Sequence, residues 1–174
     1  RRAVHIVRSV CTALAAAHAQ GVLHRDVKPP NVMIDKAGLV KLVDFGIATS
    51  EGLHNLTRPG GTVGTIGFLA PELWEGAEAS VASDVFATGV LLYSCLTRRM
   101  PWRGKGLQLV DQMRSATPPP PSAYAPSVDA VLDQIALRAC AVDPAERFPS
   151  ASAFADALGA WLGWQALPMV IILS

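Results

Sequence analysis

The residues with the clearest chemical potential lie in a short polar loop, His-Arg-Asp-Val-Lys-Pro-Pro-Asn, at 24–31. Asp26 can accept the proton of an attacking hydroxyl, and Lys28 can neutralise charge on a group in transfer. Asn31 offers an amide oxygen to Mg²⁺, a cation that prefers oxygen ligands, and Asp44 of the following Asp-Phe-Gly offers a carboxylate. This set predicts phosphoryl transfer, in which a protein mainly positions the reactants and spreads negative charge.

A helix before the loop and a hairpin after it must position these side chains. Apolar residues recur at helical spacing in an alanine-rich stretch: Val4, Val7, Val10, Cys11 and Leu14. Gly21 supplies a helix stop. The β-rich runs VMI and LVKLV, separated by DKAG, predict a hairpin over 32–43. That hairpin doubles the chain back and is expected to bring positions 26, 31 and 44 together.

The remainder of the sequence is predominantly helical in pattern. A Gly-, Thr- and Ser-rich stretch at 49–67 predicts a long functional loop. Helices are predicted over 83–97, 106–116, 127–141 and 150–162. Ser83 or Asp84 is placed to cap the first of these, and Ser150 is placed to start the last. The predicted fold class is mainly α with a small β-hairpin.

Composition excludes several classes of function. The 174 residues are 51% hydrophobic and 17% charged with a net charge of +1, which argues against disorder and against a concentrated basic face for nucleic acid. Three widely spaced cysteines favour a reducing, cytoplasmic location over a disulfide framework. The terminal run LPMVIILS is far shorter than the ~20 apolar residues that span a bilayer.

Five motifs occur in the order found in one enzyme family. HRDVKPPN, DFG, GTIGFLAPE, SDVFATG and DPAERF resemble the large, C-terminal lobe of protein kinases, from Val4 to about Leu162. Lys28 and Thr65 resemble the serine/threonine branch, and the Pro- and Ala-rich C-terminal part resembles bacterial Hanks-type kinases. The resemblance implies ATP and Mg²⁺ as cofactors and protein substrates with Ser or Thr. It implies catalytic roles for Asp26 and Lys28.

The same resemblance implies further nucleotide and regulatory residues. Lys28 and the metal ligands Asn31 and Asp44 would contact the nucleotide. Arg25 resembles the arginine that pairs with a phosphorylated activation segment, a charge-assisted contact. The candidate hydroxyls in that segment are Thr57, Thr62 and Thr65, the first two as phosphorylation sites.

Other matched positions are implied to be structural. Glu72 and Arg147 resemble an ion pair that ties the end of the activation segment to a later turn. Asp84 resembles an aspartate that holds the backbone of the HRD loop. His24 and Phe45 resemble members of a stacked side-chain column. The histidines outside these motifs, His5, His18 and His54, are expected to be ordinary solvated or helix-face residues.

The departures from the family are as informative as the matches. A Gly-rich phosphate loop, a strand lysine and its helix glutamate are absent from the sequence, so the small N-terminal lobe is expected to be missing. We expect a partial catalytic domain over 1–162, an apolar tail over 163–174, and no kinase activity from the chain alone. The alternatives are a pseudokinase-like interaction module and a kinase-fold small-molecule phosphotransferase. A membrane-anchored parent protein remains open.

Overall fold

The structure, a computed structural model, describes residues 1–45, 67–104 and 106–164. Its helices are α1 (Arg2–His18), α2 (Pro71–Trp74), α3 (Val81–Thr97), α4 (Leu107–Ser115), α5 (Ala130–Ala139) and α6 (Ala151–Trp164). Its strands are β1 (Val32–Ile34) and β2 (Val40–Leu42), and short 3-10 turns lie at Pro29–Asn31, Pro121–Ala123 and Pro144–Glu146. The prediction of a mainly α fold with one small hairpin is confirmed.

Several sequence predictions fall outside the described residues. They concern His54 and the three threonines of the predicted activation segment, Thr57, Thr62 and Thr65, together with the tail from 165 onward. Their predicted roles therefore stay predictions.

Helix α1 forms because its apolar residues repeat at helical spacing and meet two other helices. All five residues of the predicted face are fully buried: Val4, Val7, Val10, Cys11 and Leu14. The helix lies against α6 and α3, which share its hydrophobic core. Gly21 has φ +73°, a left-handed conformation that glycine adopts without steric cost, and it turns the chain toward the polar loop.

Helix α3 is the centre of the fold. Every residue from Ser83 to Tyr93 is buried, as expected for a helix surrounded by other elements rather than lying on the surface. Gly89 permits the close approach of α5, because a Cβ at this position would lie 2.6 Å from the Cβ of Ala139. The sequence of this helix therefore specifies a central helix against which the surrounding helices pack.

The start of α3 differs from the sequence prediction. Neither Ser83 nor Asp84 caps the helix, which begins one turn earlier. Ser80 is the N-cap: its side chain accepts from the backbone N–H of Ser83 at 3.3 Å, and Ser83 Oγ accepts from the N–H of Ser80 at 3.0 Å. This reciprocal capping leaves the carboxylate of Asp84 free to bind the polar loop instead. At α6, by contrast, Ser150 Oγ accepts from the N–H of Ala153 at 3.0 Å, as predicted.

The hairpin lies where the sequence predicts it, and its two strands pair along their whole length. β1 and β2 pair antiparallel, with Val32 opposite Leu42 and Ile34 opposite Val40. Asp35 closes the turn: its side chain accepts backbone N–H bonds from Ala37 and Leu39, both at 2.9 Å. Such Asx turns are favoured where the chain must reverse within a few residues. The reversal returns the chain to the end of the polar loop.

Two of the cysteines are buried as free thiols in the core. Cys11 and Cys140 are buried, and burial raises the pKa of the Cys140 thiol to about 12, against the opposing effect of Arg147. These two cysteines therefore act as small core residues rather than nucleophiles. Among the helices in the described ranges, none has both the length and the apolar character needed to cross a bilayer.

Candidate active site

The polar loop at 24–31 is fixed to the central helix by the carboxylate of Asp84. Oδ2 accepts the backbone N–H of His24 and Oδ1 that of Arg25, both at 2.8 Å, and Asp84 is only 2% exposed. Arg25 has φ +67°, a left-handed conformation that costs a non-glycine residue about 1–2 kcal/mol. Two hydrogen bonds to a charged acceptor offset that strain. The geometry supports the predicted role of Asp84 as the anchor of the loop.

His18 binds the same carboxylate of Asp84, a contact that the sequence does not predict. Its Nε2 lies 2.9 Å from Asp84 Oδ2, so the expectation of an ordinary helix-face histidine is wrong for this residue. A sequence signal existed: position 18 continues the buried spacing of positions 7, 11 and 14 along α1. A polar side chain at a position that the pattern marks as buried requires a polar partner. Nothing in the local sequence names Asp84, 66 residues away.

His24 connects the loop to the end of the hairpin. The N–H of Asp26 donates to Nδ1 of His24 at 3.2 Å, so Nδ1 is an acceptor. The other ring nitrogen of His24, Nε2, therefore carries the proton and donates to the carbonyl of Val43 at 3.0 Å. The ring is fully buried and lies 4.6 Å, centroid to centroid, from the ring of Phe45. His24 and Phe45 are thus in contact, as the predicted stacked column requires.

Two of the predicted site residues, Lys28 and Asn31, converge on one carboxylate oxygen of a third, Asp26. Asp26 Oδ2 lies 2.8 Å from Lys28 Nζ and accepts from Asn31 Nδ2 at 3.0 Å. The same Nδ2 donates to the Asp26 carbonyl at 2.8 Å. These contacts orient the carboxylate and hold Oδ2, while Oδ1 has no partner among the described residues. The Asp26 side chain is 30% exposed, so its carboxylate is accessible to a reactant.

Asn31 and Asp44 fit the donor set of a magnesium ion. Both protons of the Asn31 amide are used on Asp26, which leaves the amide oxygen Oδ1 as a free acceptor within the described part of the chain. The N–H of Val43 donates to the Asn31 carbonyl at 3.0 Å, so the residue before Asp44 is held against Asn31. Asp44 is exposed, with φ +55°. Two hard oxygen donors from these two residues would suit Mg²⁺, which keeps several of its own waters.

A narrow crevice joins this loop to the segment before α2. It is about 20 Å³ in volume and is lined by both chain segments, with Asp26 on one side and Phe68 and Leu69 on the other. Asp26 therefore lies beside the chain that leads into α2.

Glu72 and Arg147 form a fork-to-fork ion pair beneath α2. Arg147 NH1 and NH2 donate to the two carboxylate oxygens of Glu72, each at 2.7 Å. The remaining donors bond the carbonyls of Ala82, Ala141 and Val142. Arg147 is 1% exposed, and all five of its N–H donors are satisfied. The predicted pairing of these two residues is present in the structure.

Replacing Glu72 by Gln should lower the free energy of unfolding by about 3 kcal/mol, because it leaves the guanidinium of Arg147 buried without its counter-charge. Glu75→Gln is the matched control, since Glu75 pairs with Arg114 at 2.8 Å on the surface, where both side chains are more than half exposed. That change should cost less than about 1 kcal/mol. Urea denaturation followed by circular dichroism measures both. Equal losses for the two variants would contradict the buried-pair interpretation.

Comparison with known proteins identifies relatives over nearly the whole chain. Residues 1–157 match the family model described as protein kinase domain. Serine/threonine-protein kinase Pkn1 of Myxococcus xanthus is 43% identical over 163 residues, which cover 89% of this chain and 23% of the relative. Serine/threonine-protein kinase PknD of Mycobacterium tuberculosis is 42% identical over 158 residues, or 90% and 24% of the two chains. The chain thus spans about a quarter of the length of these curated relatives.

Proposed function

This chain belongs to the protein kinase family, and on that premise we propose that it carries the acceptor- and metal-facing half of a serine/threonine kinase site. The reaction would move the γ-phosphoryl group of ATP to a Ser or Thr hydroxyl of a protein substrate. The observation that carries the proposal is the convergence of Lys28 and Asn31 on Asp26 Oδ2, which leaves Oδ1 without a partner among the described residues. The names of the relatives support the same reaction class.

Each residue has a role that follows from its contacts. Asp26 Oδ1 accepts the proton of the attacking hydroxyl, because Oδ2 is already held in place. Lys28 provides positive charge beside the transferring group. Asn31 Oδ1 and the Asp44 carboxylate would hold Mg²⁺. Bound Mg²⁺ neutralises charge on the phosphates of ATP.

The choice of serine or threonine as acceptor rests on two positions. Lys28 follows Asp26 by two residues, the pattern of the serine/threonine branch, and Thr65 agrees with that branch from the sequence. The narrow crevice between Asp26 and the Phe68–Leu69 segment is where a polypeptide hydroxyl would enter. A kinase-fold enzyme for small molecules has no need of such a polypeptide-facing segment.

Arg25 is the residue through which the site would be regulated. Its side chain is exposed and has no ion-pair partner among the described residues, although its backbone is fixed by Asp84. A phosphate on Thr57 or Thr62 would supply three strong acceptor oxygens for that guanidinium. We place the activating contact here.

The boundaries of the unit are also part of the proposal. Residues 1–162 would be the large lobe and 163–174 an apolar tail. The 174 residues contain no G-x-G-x-x-G sequence to cover phosphates. Large apolar side chains exposed by 39–59% cluster in one stretch of the chain, at Val22, Met33, Ile34, Leu39 and Phe45. Such an exposed apolar patch is typical of an interface, and a small ATP-binding lobe is the partner that the family provides.

We infer a cytoplasmic location for this lobe, because the proposed reaction uses the ATP of the cytoplasm. This location is compatible with a parent protein anchored in the membrane.

The proposal is tested in a domain that joins this chain to the ATP-binding small lobe of a relative such as Pkn1, called the fused domain below. It should phosphorylate peptides with Ser or Thr but not a matched Tyr peptide. Asp44→Ala should weaken Mg²⁺-dependent nucleotide binding at least ~10-fold, because it removes one of two protein oxygen ligands. Titration calorimetry with ATP, with and without Mg²⁺, measures this.

The matched control for that variant is Glu78→Ala, which removes an exposed carboxylate outside the site. It should leave the affinity unchanged. Full Mg²⁺-dependent affinity in Asp44→Ala would remove Asp44 from the metal site. Failure of the unchanged fused domain to transfer phosphate to any of the peptides would instead favour an interaction module.

A further inference from the structure

The loop between α3 and α4 concentrates positive charge in a chain that is otherwise slightly acidic. Residues 98–106 contain four Lys or Arg and no acidic residue, a net charge of +4. The whole chain has a net charge of +1, so the remaining residues sum to −3, which is +1 minus +4. This local excess has no role in the site described above.

The backbone of this loop is firmly held. Thr97 is buried, and its hydroxyl donates to the carbonyl of Tyr93 at 2.9 Å and accepts the N–H of Arg99 at 3.1 Å. Pro101 and Trp102 are buried, and the indole N–H of Trp102 donates to the Ala116 carbonyl at 2.7 Å. The backbone from Thr97 to Arg103 is therefore a rigid platform, and binding to it would not require that backbone to be ordered first.

Three arginines project from the platform into solvent. Arg98, Arg99 and Arg103 are all exposed, and within the described residues none of them has an acidic partner. Arg99 lies over the ring of Tyr124, 4.9 Å from its centroid. Burial raises the pKa of the nearby Tyr93 phenol to about 12, and Arg103 is the cation that opposes this shift.

The loop borders the segment that faces Asp26. A Cβ built on Gly67 would lie 2.5 Å from Met100 Cε, so the loop and the start of the Gly67–Ala70 segment are in direct contact. Phe68 and Leu69 of that segment line the crevice beside Asp26. The loop that carries the three arginines therefore contacts the segment that a polypeptide with its hydroxyl at Asp26 would meet.

We propose that Arg98, Arg99 and Arg103 form a docking surface for an acidic segment of the polypeptide substrate. The inference rests on the proposed function and specifies its substrate class. Guanidinium groups bind carboxylates through paired N–H bonds, and three that have no acidic partner among the described residues match several Asp or Glu side chains. A membrane surface or a duplex would meet the acidic remainder of the chain as well, which disfavours both.

Binding to the 174-residue chain provides a test that needs no catalysis. A fluorescent Ser peptide rich in Glu is compared with its Gln-substituted counterpart by anisotropy at low and at moderate salt. We expect the Glu peptide to bind at least ~10-fold more tightly, with an advantage that shrinks as salt rises. The triple variant Arg98→Gln, Arg99→Gln, Arg103→Gln should abolish that preference.

Two further variants separate docking from folding and from net charge. The double variant Arg98→Gln, Arg103→Gln keeps the contact of Arg99 with Tyr124 and should still lose most of the preference. A control with Arg2→Gln, Arg8→Gln and Lys36→Gln removes three exposed cations elsewhere and should keep it. An equal loss in this control, or no preference in the unchanged chain, would overturn the proposal. So would tighter binding to phosphatidylserine vesicles or duplex DNA than to the Glu peptide.

The fused domain separates this inference from the proposed function. If the docking inference alone fails, phosphate transfer proceeds with the same kcat/KM for the Glu and Gln peptides. If the kinase function alone fails, the Glu peptide binds through the three arginines and receives no phosphate.

Discussion

Turnover by the fused domain should fall about 10²- to 10⁴-fold when Asp26 is replaced by Asn, the range associated with loss of a positioned general base. The substitution keeps the shape of the side chain and can keep its contact with Asn31, but the amide cannot take up the proton of the attacking hydroxyl. Lys28 would also lose its counter-charge at 2.8 Å. Because the peptide and ATP are bound elsewhere, the effect should be on kcat rather than on KM. Steady-state phosphotransfer at saturating substrates measures it.

Asp111→Asn is the control for this prediction. Asp111 is an exposed aspartate on α4, so the same chemical change there should leave the rate within a factor of about two. Circular dichroism and Mg²⁺–ATP titration of the Asp26→Asn variant establish that folding and nucleotide binding survive. An unchanged rate in a well-folded Asp26→Asn variant would remove Asp26 from the catalytic role.

Periodicity predicted the parts of the fold that depend on burial alone. The buried face of α1 is as predicted, because five apolar residues at helical spacing have only one way to leave water together. The hairpin is as predicted because the turn chemistry of Asp35 and Gly38 is local. Helix ends were less well predicted: the predicted 127–141 helix runs over Ala130–Ala139, with Asp129 as its N-cap.

The predictions that failed depend on partners distant in sequence. His18 is a site-anchoring residue because Asp84 is placed beside it by the packing of α1 on α3, and no local pattern encodes that contact. Asp84 itself has the residue type of a helix cap, and it was free to bind the loop only because Ser80 supplies the cap. The same carboxylate type serves either purpose, so tertiary position decides between them.

The site residues were predicted from motif resemblance more than from physical pattern. Spacing alone places Asp26, Lys28 and Asn31 on one loop, but it does not predict that Lys28 and Asn31 share one oxygen of Asp26. That detail depends on the left-handed backbone of Arg25 and on the two hydrogen bonds that anchor the N–H groups of His24 and Arg25 to Asp84. The chemistry of the residues was readable from sequence, whereas the choice of the free oxygen required the structure.

The largest expected effect concerns the 174-residue chain by itself, which should transfer no measurable phosphate. Its site would reach ATP only through a Mg²⁺ ion bound to a carboxylate and an amide oxygen. Water can take the place of ATP on that ion equally well. No G-x-G-x-x-G phosphate loop with its matching strand lysine is present in its sequence to grip the nucleotide. Loss of such positioning can remove ~7–11 kcal/mol of barrier reduction, which is enough to erase catalysis. Radiolabelled ATP and a Ser peptide provide the assay.

Three proteins compared in that assay separate the explanations: the chain alone, the fused domain, and the fused domain with Asp26→Asn. Only the unchanged fused domain should label the peptide. The chain alone should also self-associate in sedimentation velocity, through its exposed apolar residues Met33, Ile34 and Leu39, and the fused domain should not. Strong labelling by the chain alone that disappears with Asp26→Asn would show that these residues position ATP without a second lobe. The exposed apolar residues would then contact a partner other than a nucleotide-binding lobe.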